Sequence, residues 1–194
     1  MLKTALLGGV FCSCYTTRMA IYFLRHGESQ ANVDKIFAGQ KEDSPLTHRG
    51  IYQADAAGKE LRTAGIKRII SSKLQRAHQT AERVAVILGV SEIEIDNRLL
   101  EYDMGALTAT PHHTVTSLDL VAAEGAEDPN AFQHRVLSLL FELKQENEDI
   151  LLVSHAGVGR IIEAARQSIA PNLFYDLPAY PNAHAVELEL SWLA

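Results

Sequence analysis

The chain has 194 residues, with 18 Lys and Arg against 24 Asp and Glu and a net charge of -6. At that length a single domain buries on the order of 70% of its unfolded surface around one core. No basic block or aromatic-interleaved patch is available to track a phosphate backbone, which excludes nucleic acid as a partner, and no apolar run reaches the ~18 to 20 residues that cross a bilayer.

Residues 1–18 carry Lys3, an apolar patch from Ala5 to Phe11, and Cys12 and Cys14. The patch has the outline of a short secretory segment but only a poor cleavage signal. It reads as a doubtful leader or as the product of an upstream start codon ahead of Met19. With no further Cys or nearby His, the two cysteines are incidental thiols rather than a metal or disulfide site. One domain is expected over residues 19–194, in the cytoplasm, export through residues 1–18 being the alternative.

Ile21 to Leu24 is an apolar run, rich in β-branched and aromatic residues, that reads as a buried strand ending in Arg25-His26-Gly27-Glu28. The polar stretch from Asn32 to Leu46 reads as a loop. Thr47 caps a helix whose Ile51, Ala54, Gly58 and Leu61 recur at helical spacing before Gly65. The return to a strand over 68–72 makes a βαβ unit. Ala77 to Leu88 is a second amphipathic helix ending at Gly89, and Ile93 and Ile95 mark an edge strand ahead of Glu101.

Residues 102–128 are expected as a short lid, within which 111–127 have weak periodicity. Asp128-Pro129 starts a helix that buries Phe132, Val136, Leu139, Leu140 and Leu143. A strand over 150–154, a helix over 158–168 and a closing strand over 183–190 complete a three-layer α/β/α sandwich with a mostly parallel central sheet.

Four fragments then stand out. Arg25-His26-Gly27 and Ser154-His155-Ala156-Gly157 both place a histidine and then a glycine after an apolar strand. Arg76 lies where a strand gives way to a helix, and Glu101 follows another strand. Singly, each is as well explained by a surface ion pair or a solvated loop. Together, in this order, they resemble the histidine phosphatase superfamily, the phosphoglycerate-mutase-like group, over roughly Met19 to Leu190. The resemblance implies that His26 is the nucleophile, Glu101 the general acid and base, His155 a phosphate-binding donor and Asn32 a residue of the phosphate pocket. Ser29 is a further hydroxyl for the substrate.

These residue types suit phosphoryl transfer. Charge spreads over three equatorial oxygens, which Arg25 and Arg76 can clamp with planar N–H pairs. A neutral imidazole can carry the group as a phosphohistidine, dividing hydrolysis into two displacements. No metal ion or other cofactor is required.

The expected substrate is a small phosphorylated metabolite. The segment 102–129 has no Lys or Arg but contains Asp103, Asp119, Glu124, Glu127 and Asp128. Such a lid gives no fixed positive charge for a second anion, which favours hydrolysis over a phosphoglycerate mutase. A regulatory phosphohistidine phosphatase or phospho-ligand binding protein is the other alternative. His112-His113 in the lid are candidates for substrate contact.

Overall fold

A computed structural model describes residues 19–193. The expectations for residues 1–18, Cys12 and Cys14 included, lie outside the described residues. The five strands are β1 (Ile21–Arg25), β2 (Arg68–Ser71), β3 (Ile93–Ile95), β4 (Ile150–Ser154) and β5 (Ala185–Glu187). They form one sheet in the order β3-β2-β4-β1-β5, in which only the β1–β5 pairing is antiparallel.

Among the described residues there are six α-helices: α1 (Gln30–Asp34), α2 (His48–Glu60), α3 (Gln75–Leu88), α4 (Ser117–Ala122), α5 (Pro129–Leu143) and α6 (Ala156–Arg166). Side chains alternate across a strand, so each central strand feeds two cores. Ile21, Phe23, Ile150 and Leu152 pack with Phe132, Val136, Leu139 and Ile161 on the α5–α6 side. Leu24, Leu151 and Val153 pack with Ala57, Leu61, Ala77, Ala81 and Val84 on the α2–α3 side. The sequence-based layers are thus present, and β4, buried at all five residues, sits at the middle of the sheet.

Several local expectations need correction. The stretch expected as a loop from Asn32 begins inside α1, which ends where Lys35 takes a left-handed φ of 55°. The weakly periodic lid contains α4, started by Thr116, whose side chain accepts from the Asp119 amide while the Asp119 carboxylate accepts from the Thr116 amide. Ile51 does not lie on the buried face of α2; the helix rests on Gly50, Ala54, Ala57 and Gly58. The closing strand shrinks to Ala185–Glu187, paired with Tyr22 to Leu24, and flanking bonds from the Ala183 amide to the Arg25 carbonyl and from the Leu188 amide to the Ile21 carbonyl hold its two ends. Leu188 and Leu190 then turn into the core.

Helix starts follow the expected chemistry. The Asp128 carboxylate accepts from the amides of Asn130 and Ala131, both at 2.9 Å, with Pro129 in the first turn. Thr47 accepts from the Gly50 amide at 3.0 Å and donates to Glu28 Oε1 at 2.9 Å. Glu28 is therefore tied to the start of α2.

Gly27 is required by close packing of main chain. A Cβ there would lie 2.4 Å from the Gly50 carbonyl oxygen, and a Cβ on Gly50 would lie 2.1 Å from the Glu28 oxygen. Two backbones cross at these glycines, which fixes the end of β1 against α2.

Candidate active site

The site forms where the carboxyl ends of the parallel strands meet the following segments, the usual ligand position in an open α/β sheet. The amide of His26 donates to the Ser154 carbonyl at 2.9 Å, extending the β1–β4 ladder by one bond. That bond sets the two histidines side by side, with ring centroids 5.3 Å apart. His155 occupies the N-cap position of α6.

The ring of His26 has a defined tautomer. Its Nδ1 lies 2.7 Å from the Gly27 carbonyl oxygen, which can only accept, so Nδ1 carries the proton. The lone pair is left on Nε2. Burial, then the positive charges of Arg76 and Arg25, hold the pKa of His26 well below its ordinary 6.5. Burial and the field of Arg76 push His155 down as well, and the Nε2 of His155 lies 2.8 Å from the Ser72 hydroxyl.

Arg76 is buried in the first turn of α3, its terminal nitrogens donating to the carbonyls of Gly39 at 2.8 Å and Glu42 at 3.1 Å. Arg25 donates to the Tyr180 carbonyl at 2.9 Å. Burial lowers the pKa of both guanidiniums, and the Glu101 carboxylate opposes that shift in each. The buried Nε of Arg25 and Nδ1 of His155 have no protein partner. Buried donors normally find an acceptor, and an anion beside His26 would supply one.

Glu101 is buried, its carboxylate accepting from the amides of Tyr102 at 2.8 Å and Gly157 at 3.2 Å. A Cβ on Gly157 would come within 2.2 Å of Glu101 Oε1, so this glycine makes room for the carboxylate. Aromatic packing fixes the next residue. Tyr102 forms a triangle with Phe132 and Phe174, with centroids 5.2 to 5.4 Å apart.

Arg135 of α5, which sequence reasoning missed, donates to the carbonyls of Arg98, Leu100 and Glu101 at 2.7, 2.9 and 3.1 Å. It also pairs bidentately with Glu127. Its sequence signal is a charge within the apolar stripe of α5, three residues after Phe132 and one before Val136.

Arg25, His26, Asn32, Arg76 and Glu101 share the wall of one cavity of about 180 Å³. Asn32 Oδ1 accepts from the Ser29 amide at 3.1 Å and from Asn182 at 3.2 Å, leaving its NH₂ group as what it can offer a ligand. Ser29 is fully buried and is not brought to that wall. The cavity is also lined by Phe37, His112, Arg160 and Tyr175, and not by His113. Among these, Arg160 went unread in the sequence although it lies one helical turn after Ala156. Among the described residues, no group of three or more His, Cys, Asp and Glu is arranged to hold a metal ion, and no helix is long and apolar enough to cross a membrane.

Known proteins resemble this chain in sequence and in fold. The family model of the histidine phosphatase superfamily, branch 1, matches residues 21–191. A protein of Salmonella paratyphi A named probable phosphoglycerate mutase GpmB is 35% identical over 152 residues, 71% of this chain and 69% of that one. Among solved structures, Bacillus stearothermophilus YhfR superposes with a TM-score of 0.78 at 27% identity, over 88% of this chain and 91% of that one. A mycobacterial glucosyl-3-phosphoglycerate phosphatase superposes with a TM-score of 0.72 at 25% identity, over 87% and 89%.

Proposed function

Because the chain belongs to the histidine phosphatase superfamily and is an enzyme acting on phosphate esters, we propose that it hydrolyses a small phosphomonoester, without a metal ion, through a phosphohistidine on His26. The observation that carries this reading is the state of His26: a neutral ring, its Nδ1 proton held by the Gly27 carbonyl and its Nε2 lone pair free, buried beside two guanidiniums.

In the first step His26 Nε2 attacks phosphorus while the bond to the ester oxygen breaks. Protonated Glu101 gives its proton to the departing alkoxide, and the alcohol leaves. In the second step the Glu101 carboxylate takes a proton from water, whose oxygen attacks the phosphohistidine. Inorganic phosphate departs and His26 is restored. Arg25 and Arg76 hold the phosphoryl oxygens throughout, and His155 donates to them as charge develops. Asn32 would add its NH₂ group. No carboxylate-rich metal cage is needed, because the guanidiniums supply the positive charge.

The neighbours support this direction, since one is a glucosyl-3-phosphoglycerate phosphatase. The cavity of about 180 Å³ suits a small metabolite better than a protein surface, which counts against the regulatory reading. The relative named probable phosphoglycerate mutase favours a second reading, in which the phosphoryl group passes to another hydroxyl instead of water. Dependence on a bisphosphorylated primer would identify it.

Phosphate release from a panel of phosphomonoesters, measured with EDTA present, tests the proposal. Wild type should be active, and His26→Ala should lose about 10³-fold or more in kcat. Loss of wild-type activity in EDTA, or residual turnover within tenfold in His26→Ala, would sink it.

A further inference from the structure

The main chain that carries Glu101 belongs to no regular element. Residues 100–103 follow the 3₁₀ turn Asn97–Leu99 and lie in neither helix nor strand. Their backbone carbonyls need partners from elsewhere, and side chains supply them. Arg135 of α5 takes the carbonyls of Arg98 and Leu100 through Nη1, at 2.7 and 2.9 Å, and that of Glu101 through Nη2, at 3.1 Å. The Ser154 hydroxyl donates to the Leu99 carbonyl at 2.7 Å, and the Gln40 amide donates to the Glu101 carbonyl at 2.9 Å.

The guanidinium is held from its other side as well. Its Nε and Nη2 donate to the two carboxylate oxygens of Glu127 at 2.6 and 2.9 Å, so all five of its N–H groups are engaged. Glu127 closes the stretch that opens directly after Glu101. Its amide donates to the Asp103 carbonyl at 3.0 Å, and its carbonyl accepts from the Tyr102 hydroxyl. Arg135 therefore stands behind Glu101, and it does not line the cavity.

One peptide plane joins this clamp to the proposed acid. The Glu101 carbonyl and the Tyr102 amide are opposite ends of the same planar unit, so holding the oxygen aims the N–H. That N–H is the donor to Glu101 Oε1 at 2.8 Å. A compact ammonium in place of the planar fork has neither the donors nor the spread to hold three carbonyls and a carboxylate together.

Resting on the assignment of Glu101 as general acid, we propose that Arg135 is a positioning residue, which through the peptide between residues 101 and 102 aims the Glu101 carboxyl at the ester oxygen. Its loss leaves phosphoryl binding and attack by His26 in place. What fails is delivery of the Glu101 proton to the oxygen as its bond to phosphorus breaks.

Two esters that differ in their need for that proton test the proposal. The phenolate of 2,4-dinitrophenyl phosphate departs without protonation, whereas departure from phenyl phosphate is helped by it. The comparison uses kcat/KM, which covers only the steps through loss of the leaving group, so hydrolysis of the phosphoenzyme does not enter. Glu101→Gln, which has no proton to give, should lose about 10²-fold or more on phenyl phosphate and less than about tenfold on the dinitrophenyl ester. Arg135→Lys keeps the charge and loses the fork. It should show the same selective loss, about 10²-fold for a catalytic group displaced by about 1 Å, with KM little changed for either ester.

Partial unfolding scales both rates alike. A merely structural Arg135 would thus leave the ratio of the two esters at its wild-type value, and that result in Arg135→Lys overturns the proposal. Should this variant not fold, Glu127→Gln keeps Arg135 and weakens its carboxylate bond. The ratio should then move in the same direction by a smaller factor, and an unmoved ratio overturns the proposal there. An unmoved ratio in Glu101→Gln is distinguishable from both, because it removes the general-acid reading itself and the proposal with it.

Discussion

The floor and the wall of the cavity are built in contrasting ways. On the floor, Arg25 and His26 sit at or just beyond the end of a paired strand, with the fully buried His155 behind the cavity wall, and His26 extends the ladder itself through Ser154. On the wall, Phe37, Met104, His112 and Tyr175 come from turns and short helical segments joined by single bridges such as Ile36 to Pro111. A ladder position is coupled to the whole sheet, whereas a bridge can shift with one loop. The floor is thus suited to chemistry that must not vary, and the wall to deciding which ester enters.

The sharpest way to test that contrast is to move one group of the proposed chemistry without touching the fold. Gly157→Ala would place a methyl group 2.2 Å from the present position of Glu101 Oε1. The carboxylate is the end of a flexible side chain and can swing away, so the fold should hold. A catalytic group displaced by about 1 Å costs on the order of 10²-fold. We expect kcat to fall by about that factor with a melting temperature close to wild type. A large loss of stability with kcat intact in the folded fraction would contradict the placement of Glu101.

A second test uses acid. His26 and His155 are fully buried, with pKa values depressed below 6.5, first by burial and then by the arginines. Each therefore binds more protons when unfolded. Unfolding free energy should be retained above about pH 6.5 and lost as pH falls from there towards the folded pKa values, by up to about 1.4 kcal/mol per pH unit for each ring. Denaturant midpoints at pH 7, 6 and 5 would show this slope, and a flat profile would show that the rings protonate freely. In the same window His26 should remain nucleophilic, placing the acid limb of kcat/KM below 6.5.

The smallest effect belongs to the wall. His112 packs on Phe37 with centroids 4.6 Å apart and is only partly shielded. His112→Ala should alter KM unequally among substrates, by less than about tenfold, while leaving kcat in place. A collapse of kcat would move His112 from the wall into the chemistry.

The same contrast explains what could be read from sequence. Ile21 to Leu24 and Ile150 to Val153 announce buried strands by their composition, and a histidine followed by glycine at their ends is conspicuous. Arg76 follows a similar transition, whereas Glu101, expected at a strand end, comes after the 3₁₀ turn Asn97–Leu99. Helix α1, with five residues, is too short for periodicity to register, and α4 depends on the local capping of Thr116. Tyr175 lies in a 3₁₀ segment over Pro171–Asp176, where no pattern marks it as facing a cavity. Arg160 and Arg135 left traces, one a helical turn beyond Ala156 and the other within an apolar stripe. Their roles depend on which carbonyls, rings and carboxylates the fold brings near, and that information is tertiary.

The short contact between His26 Nδ1 and the Gly27 carbonyl has a further consequence for the proposed intermediate. A ring held this way has one nitrogen open to phosphorus and the other closed by main chain. The phosphoenzyme would therefore be a single positional isomer, carrying its phosphoryl group on Nε2 alone. That regiochemistry is written by a backbone oxygen, which no side-chain substitution can remove.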